Sequence, residues 1–172
     1  MQPNYYEGDL IIVNRLAYHF GDPQRGDVIV LYAPGSEARP VLDLFFTQHT
    51  TQFIKRVIGL PGDTVEVMDG KTYVNGMALD EPYIKEAPSY YFPTVTIPQG
   101  MYFVLGDNRN NSNDSHTGWM VPRNDIIGKV WFRYWKAGYP DIKLIMIPVF
   151  GLILGVLIIL VIFDTLKGGK TG

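Results

Sequence analysis

The stretch Phe53-Ile-Lys-Arg-Val-Ile-Gly-Leu-Pro-Gly-Asp63 sets two adjacent cations in an apolar run that stops at a Gly-Pro-Gly turn. A short apolar run closed by turn residues reads as a β-strand. Consecutive strand side chains point to opposite faces, so Lys55 and Arg56 diverge and one of them lies on the inward or cleft side. Only the lysine can give up its proton: burial disfavours its ammonium and makes the amine a general base, whereas a guanidinium stays charged. Taken by itself, Lys55 could equally extend its stem from a strand edge into solvent.

Outward from this stretch the same punctuation recurs. Leu10–Val13, Asp27–Tyr32, Thr64–Met68, Lys71–Val74, Met101–Leu105 and Ile127–Trp135 are further apolar runs separated by turn residues. With Phe53–Ile58 they predict a mainly β, antiparallel domain over residues 1–140. Asp69-Gly70 suits a type I′ hairpin, and Asn75-Gly76 makes a second tight turn. Pro34 to Gln52 has no clear strand partner and is expected to form a longer excursion.

Composition narrows the function classes. At 172 residues, 47% hydrophobic and 19% charged, the chain can bury one domain and carry a short appendage. It has no Cys, which excludes disulfides, thiol nucleophiles and Cys-ligated zinc, and His19, His49 and His116 are scattered without ligand spacing. No metal and no cofactor is expected. A net charge of -2 supplies no basic field for a phosphate backbone, so nucleic acid is not an expected partner.

The composition changes at the C-terminus. Leu144 to Phe163 is apolar and uncharged, long enough to cross a hydrocarbon core, and predicts a transmembrane anchor within residues 141–172. Pro148 falls in its first turn, and Gly151 and Gly155 form a small-xxx-small pair. Trp131, Tyr134, Trp135 and Tyr139 suit an interfacial aromatic belt or the core of a last strand. Lys and Arg flank the run on both sides, so charge leaves its orientation open.

Five segments together resemble the type I signal peptidases, serine-lysine endopeptidases that remove signal peptides from exported precursors. They are Met1-Gln-Pro-Asn-Tyr-Tyr-Glu-Gly-Asp9, Arg25-Gly-Asp-Val-Ile-Val30, Ile54 to Asp63, Gly106-Asp-Asn-Arg-Asn-Asn-Ser-Asn-Asp-Ser115, and Val121-Pro122 with Ile127-Gly-Lys129. The resemblance implies a β-rich catalytic domain on the extracytoplasmic face of the cell membrane, with signal peptides of secreted precursors and the lipid bilayer as partners. It carries Lys55 to the position of the general base and Ser112 to that of the residue orienting its amine. Arg56, Asp107, Arg109 and Asp114 would brace the site through charge-assisted bonds, and Arg56 is expected to pair with Asp107. Signal peptides are cut after small residues, which calls for shallow apolar pockets beside a strand edge. Met1, Phe53 and Ile54 are the candidates to line them, ordinary core packing being their alternative.

The sequence departs from the family pattern at four places. His116 stands where an arginine is common, Asn110 where an aspartate is common and Asn4 where a threonine is usual. The catalytic serine of the family immediately precedes the Met of a Met-x-Pro motif, here Met1, so the expectation is a chain truncated at its nucleophile and inactive as it stands. A catalytically inactive, membrane-anchored relative that binds precursor peptides or a partner subunit is the alternative. A self-cleaving repressor-type serine-lysine peptidase shares the dyad logic, but the apolar span and the lack of a basic DNA-binding region argue against it.

Overall fold

The computed structural model describes residues 1–36 and 51–135, with Tyr134 and Trp135 described in backbone only. Among the described residues ten strands form two antiparallel sheets. They are β1 (Leu10–Asn14), β2 (Val28–Tyr32), β3 (Gln52–Gly59), β4 (Thr64–Met68), β5 (Lys71–Val74), β6 (Met77–Ala78), β7 (Phe92–Thr96), β8 (Met101–Leu105), β9 (Val121–Pro122) and β10 (Ile126–Trp135). The larger sheet has the order β1-β10-β2-β3-β8-β9 and the smaller β6-β5-β4-β7.

Strand alternation divides the apolar side chains between two cores. Tyr102 and Val104 of β8 join Ile29, Leu31, Val57, Val121 and Ile126 in one cluster. Phe103 and Leu105 join Ile58, Val65, Val74 and Ile97 in the other. β3 and β8, paired through Arg56↔Leu105 and Val57↔Val104, therefore serve both cores and are covered on both faces. Because Phe53, Lys55 and Val57 share one parity of β3, the lysine is carried on the same side as the first core, where Phe53 and Val57 pack.

The second sheet is built from local turns. Asp69 and Asn75 both have positive φ, 51° and 52°, each followed by a glycine, as a two-residue I′ turn requires. β7 was not expected from the sequence, because Pro93 interrupts its apolar run. It pairs on one side only, with β4, and an edge strand tolerates proline because its outward N–H has no ladder partner to lose. The two-residue strands β6 and β9 are too short to leave a periodic signal.

These strands belong to the first of two units into which the chain divides, Met1–Ala137. The second, Gly138–Gly172, lies outside the described residues, as do the span expected over Leu144 to Phe163 and most of the excursion after Pro34. Among the described residues no helix is long and apolar enough to cross a membrane. Trp131 is 71% exposed on β10, so it is not a core residue of that strand.

Candidate active site

β3 delivers Lys55 to a loop that the chain makes after β8. The Lys55 Nζ donates to Ser112 Oγ at 2.7 Å and lies 5.3 Å from the centre of the Phe53 ring. Burial lowers the pKa of this amine from the ordinary lysine value, and the nearby negative charge of Asp114 opposes the shift. The chain contains three other serines, none bonded to Lys55: Ser36 Oγ donates to Ala33 O, Ser89 Oγ to Asn110 Oδ1, and Ser115 Oγ accepts from Val104 N.

The loop Gly106–Ser115 is polar, yet Asp107, Arg109, Asp114 and Ser115 are almost wholly buried. Buried polar groups are as a rule paired, and these four are, whereas the buried Asn108 of the same loop leaves its Oδ1 without a partner among the described residues. Asp114 Oδ2 accepts from Gly106 N at 2.8 Å, while its Oδ1 meets His116 Nδ1 at 2.6 Å. The histidine therefore occupies the place next to Asp114 with a ring nitrogen at bonding distance, and Tyr90 stacks on it at 4.2 Å. Gly106 is needed for space: a Cβ there would lie 2.2 Å from Ser112 Oγ and 2.8 Å from Ser112 Cβ. Only a hydrogen lets Ser112 approach the strand end and meet Lys55.

Two guanidinium groups fasten this loop. Arg56, on the opposite face of β3 from Lys55, donates from Nε and Nη2 to the two oxygens of Asp107, both at 2.8 Å, and from Nη1 to Gly26 O. Burial pushes the Arg56 pKa down, but the bonds and charge of Asp107 outweigh it and the net shift is upward. Its guanidinium carbon lies 4.0 Å from the Tyr83 ring centre. Arg109 forks onto Glu81, at 2.8 and 2.6 Å, reaches Thr72 Oγ1 at 2.6 Å and returns Nε to Gly106 O at 3.2 Å.

Glu81 and Thr72 did not stand out in the sequence. Thr72 holds an inward position of β5, and a polar residue at such a position is the one signal that could have marked it; Glu81, in a loop, carries none. Asn4 is a further addition: its Nδ2 donates to Asp107 Oδ2 at 2.6 Å and to Tyr83 O at 2.8 Å. Met1 is half-buried, and its amine has a lowered pKa, first through burial and then through the charge of Lys55, with Asp107 and Asp114 opposing. Phe53 flanks the lysine and tilts against Trp119 at 6.3 Å, whereas Ile54 shares the strand parity of Arg56. Among the described residues no three His, Asp or Glu side chains converge as a metal-ligand set.

A half-buried lysine amine, bonded to a serine hydroxyl and braced by buried ion pairs where β3 passes the last of its pairs with β8, is an arrangement compatible with serine-lysine chemistry. The family model for signal peptidases, peptidase S26, matches residues 1–135, and the chain belongs to that family. A probable signal peptidase I-1 of Synechocystis sp. is 47% identical over 137 residues, 80% of this chain and 67% of the relative. The chloroplastic thylakoidal processing peptidase 1 of Arabidopsis thaliana is 37% identical, with 78% of this chain and 39% of the relative covered. The crystal structure of a signal peptidase I from Enterococcus faecalis V583 superposes with a TM-score of 0.50 at 34% identity, covering 63% of this chain and 96% of that one. The chain thus spans about two thirds of the length of one curated relative and well under half of another.

Proposed function

We propose that this chain is the catalytic domain of a signal peptidase I, a serine endopeptidase that removes signal peptides from exported precursors. The observation that carries the reading is the 2.7 Å bond from Lys55 Nζ to Ser112 Oγ, made by an amine whose pKa burial lowers. We propose, as the nucleophile, a serine joined to the Met1 nitrogen in the full-length protein and close enough to Lys55 to give it a proton. Lys55, neutral, takes the serine proton as the oxygen attacks the scissile carbonyl carbon; it returns that proton to the departing amine, leaving an acyl-enzyme. A water deprotonated by the same amine then attacks the ester carbon, and the lysine passes that proton to the departing serine oxygen. Ser112 orients the amine, while Asp107 with Arg56, Arg109 and Asp114 hold the loop. Met1, Phe53 and Ile54 line the apolar pockets for small side chains. Residues 141–172 anchor the domain to the cell membrane with its site on the extracytoplasmic side.

The test uses the protein with its natural residues ahead of Met1 and a peptide bearing an Ala-x-Ala site. Lys55→Ala should lower kcat by about 10² to 10⁴-fold; an unchanged rate would exclude Lys55 as the base. Because the base works only when unprotonated, kcat/KM should rise with pH, with its acid-side midpoint below the 10.5 of an unperturbed lysine.

A further inference from the structure

The chemistry above requires a hydroxyl carried one residue ahead of Met1 to meet an amine on β3, and these two points of the chain are more than fifty residues apart. Nothing in the local sequence of the N-terminal segment aims it at the lysine. The segment is a turn: the Met1 carbonyl accepts from both Asn4 N and Tyr5 N at 3.0 Å. One side chain of that turn reaches across the site. The single Nδ2 of Asn4 spends its two hydrogens on Tyr83 O at 2.8 Å and Asp107 Oδ2 at 2.6 Å.

Asp107 is fully buried, and its two oxygens also receive Arg56, the residue following Lys55. One carboxylate therefore joins the strand that carries the amine to the turn that begins at Met1. From the other side Arg133 Nη1 donates to Asn4 O at 2.7 Å, so backbone and side chain of this residue are both held. The residue type follows from the acceptors. Two acceptors converge on one nitrogen, which an amide can satisfy; a hydroxyl has one hydrogen to give, and a carboxylate would face Asp107 with like charge.

We propose that Asn4 is a positioning residue, which sets the distance between the Lys55 amine and the hydroxyl ahead of Met1 by tying the N-terminal turn to Asp107 and Tyr83; this rests on the peptidase reading above. Misplacement of reacting atoms by about 1 Å costs on the order of 10²-fold in rate. Asn4→Ala should accordingly lower kcat by about 10 to 100-fold, and KM should change by less than kcat, because of the three pocket-lining side chains only Met1 belongs to the tied turn. The acid limb of the kcat/KM profile should not move, since Lys55 keeps both its burial and its bond to Ser112. Asn4→Thr, with one donor, should fall between parent and alanine variant, and Asn4→Asp should fall at least as far as alanine.

The experiment measures kcat, KM, the pH profile and Tm for the protein with its natural residues ahead of Met1 and for the three variants. A kcat loss graded from Thr to Ala, without a moved acid limb, supports the proposal. A parental kcat in Asn4→Ala, a loss confined to KM, or a shifted acid limb overturns it while leaving the peptidase reading intact. Should Asn4→Ala fail to fold, a parental kcat in a folded Asn4→Thr overturns it equally, and a reduced one supports it. A parent protein that does not cleave the peptide overturns both readings.

Discussion

The turn at Asp69-Gly70 and the loop Gly106–Ser115 draw on the same small polar alphabet, yet Asp69 stands in solvent while Asp107, Arg109 and Asp114 are buried. The turn is held by its own backbone: positive φ at both central residues and the β4–β5 ladder from Val65↔Val74 to Met68↔Lys71. The loop is held by partners far away in the chain, Arg56 on β3, Glu81 in a connection and Thr72 on β5. A solvated turn has only to satisfy local stereochemistry. A buried polar loop must have its charges answered, Asp107 and Arg109 from elsewhere in the chain and Asp114 from Gly106 and His116 beside it, and in exchange it offers side chains in fixed positions beside Lys55.

Substitutions can break this contrast, and the largest effect is expected at Arg109. Arg109→Ala would leave Glu81, 5% exposed, without its counter-ion, at a cost of about 3 to 5 kcal/mol. Urea unfolding measures this, and replacing Glu81 with leucine alongside Arg109→Met should recover much of the loss. A cost near that of a surface ion pair would mean the loop does not depend on its distant partners.

A middle effect is expected at Gly106. The methyl of Gly106→Ala would collide with Ser112, so stability should drop by about 1 to 3 kcal/mol. Peptidase activity should fall with it as Ser112 is displaced from Lys55. Retained activity at lowered stability would show that Ser112 is not needed to orient the amine. The smallest effect belongs to the hairpin: Gly70→Ala, at φ 73°, should cost about 1 to 2 kcal/mol in the same urea titration and leave the cleavage rate unchanged. A slowed enzyme there would show that the smaller sheet acts on the site, and Thr72, which bonds Arg109 from β5, is the route by which it would.

How much was legible follows the same division. The strands with uninterrupted apolar runs, both Gly-containing hairpins and the diverging pair Lys55/Arg56 could be read because each rests on neighbours within a few residues. β7 could not, since Pro93 breaks the pattern and only its edge position excuses it. The Arg56–Asp107 pair was expected from the family resemblance together with an arginine beside the base and an acidic loop. The Glu81 fork on Arg109 and the Asn4 bond to Asp107 were not, because they link residues 28 and 103 positions apart with no local pattern to announce them.

By itself the sequence determined the antiparallel character of the domain, its turns and the placing of Lys55 in an apolar strand, because backbone stereochemistry and side-chain alternation act over a few residues. Only the tertiary structure decided which charges meet. Burying a polar loop is tolerable only when groups from β3, β5 and the N-terminal turn converge on it, and that convergence is a property of the closed sheets rather than of any segment.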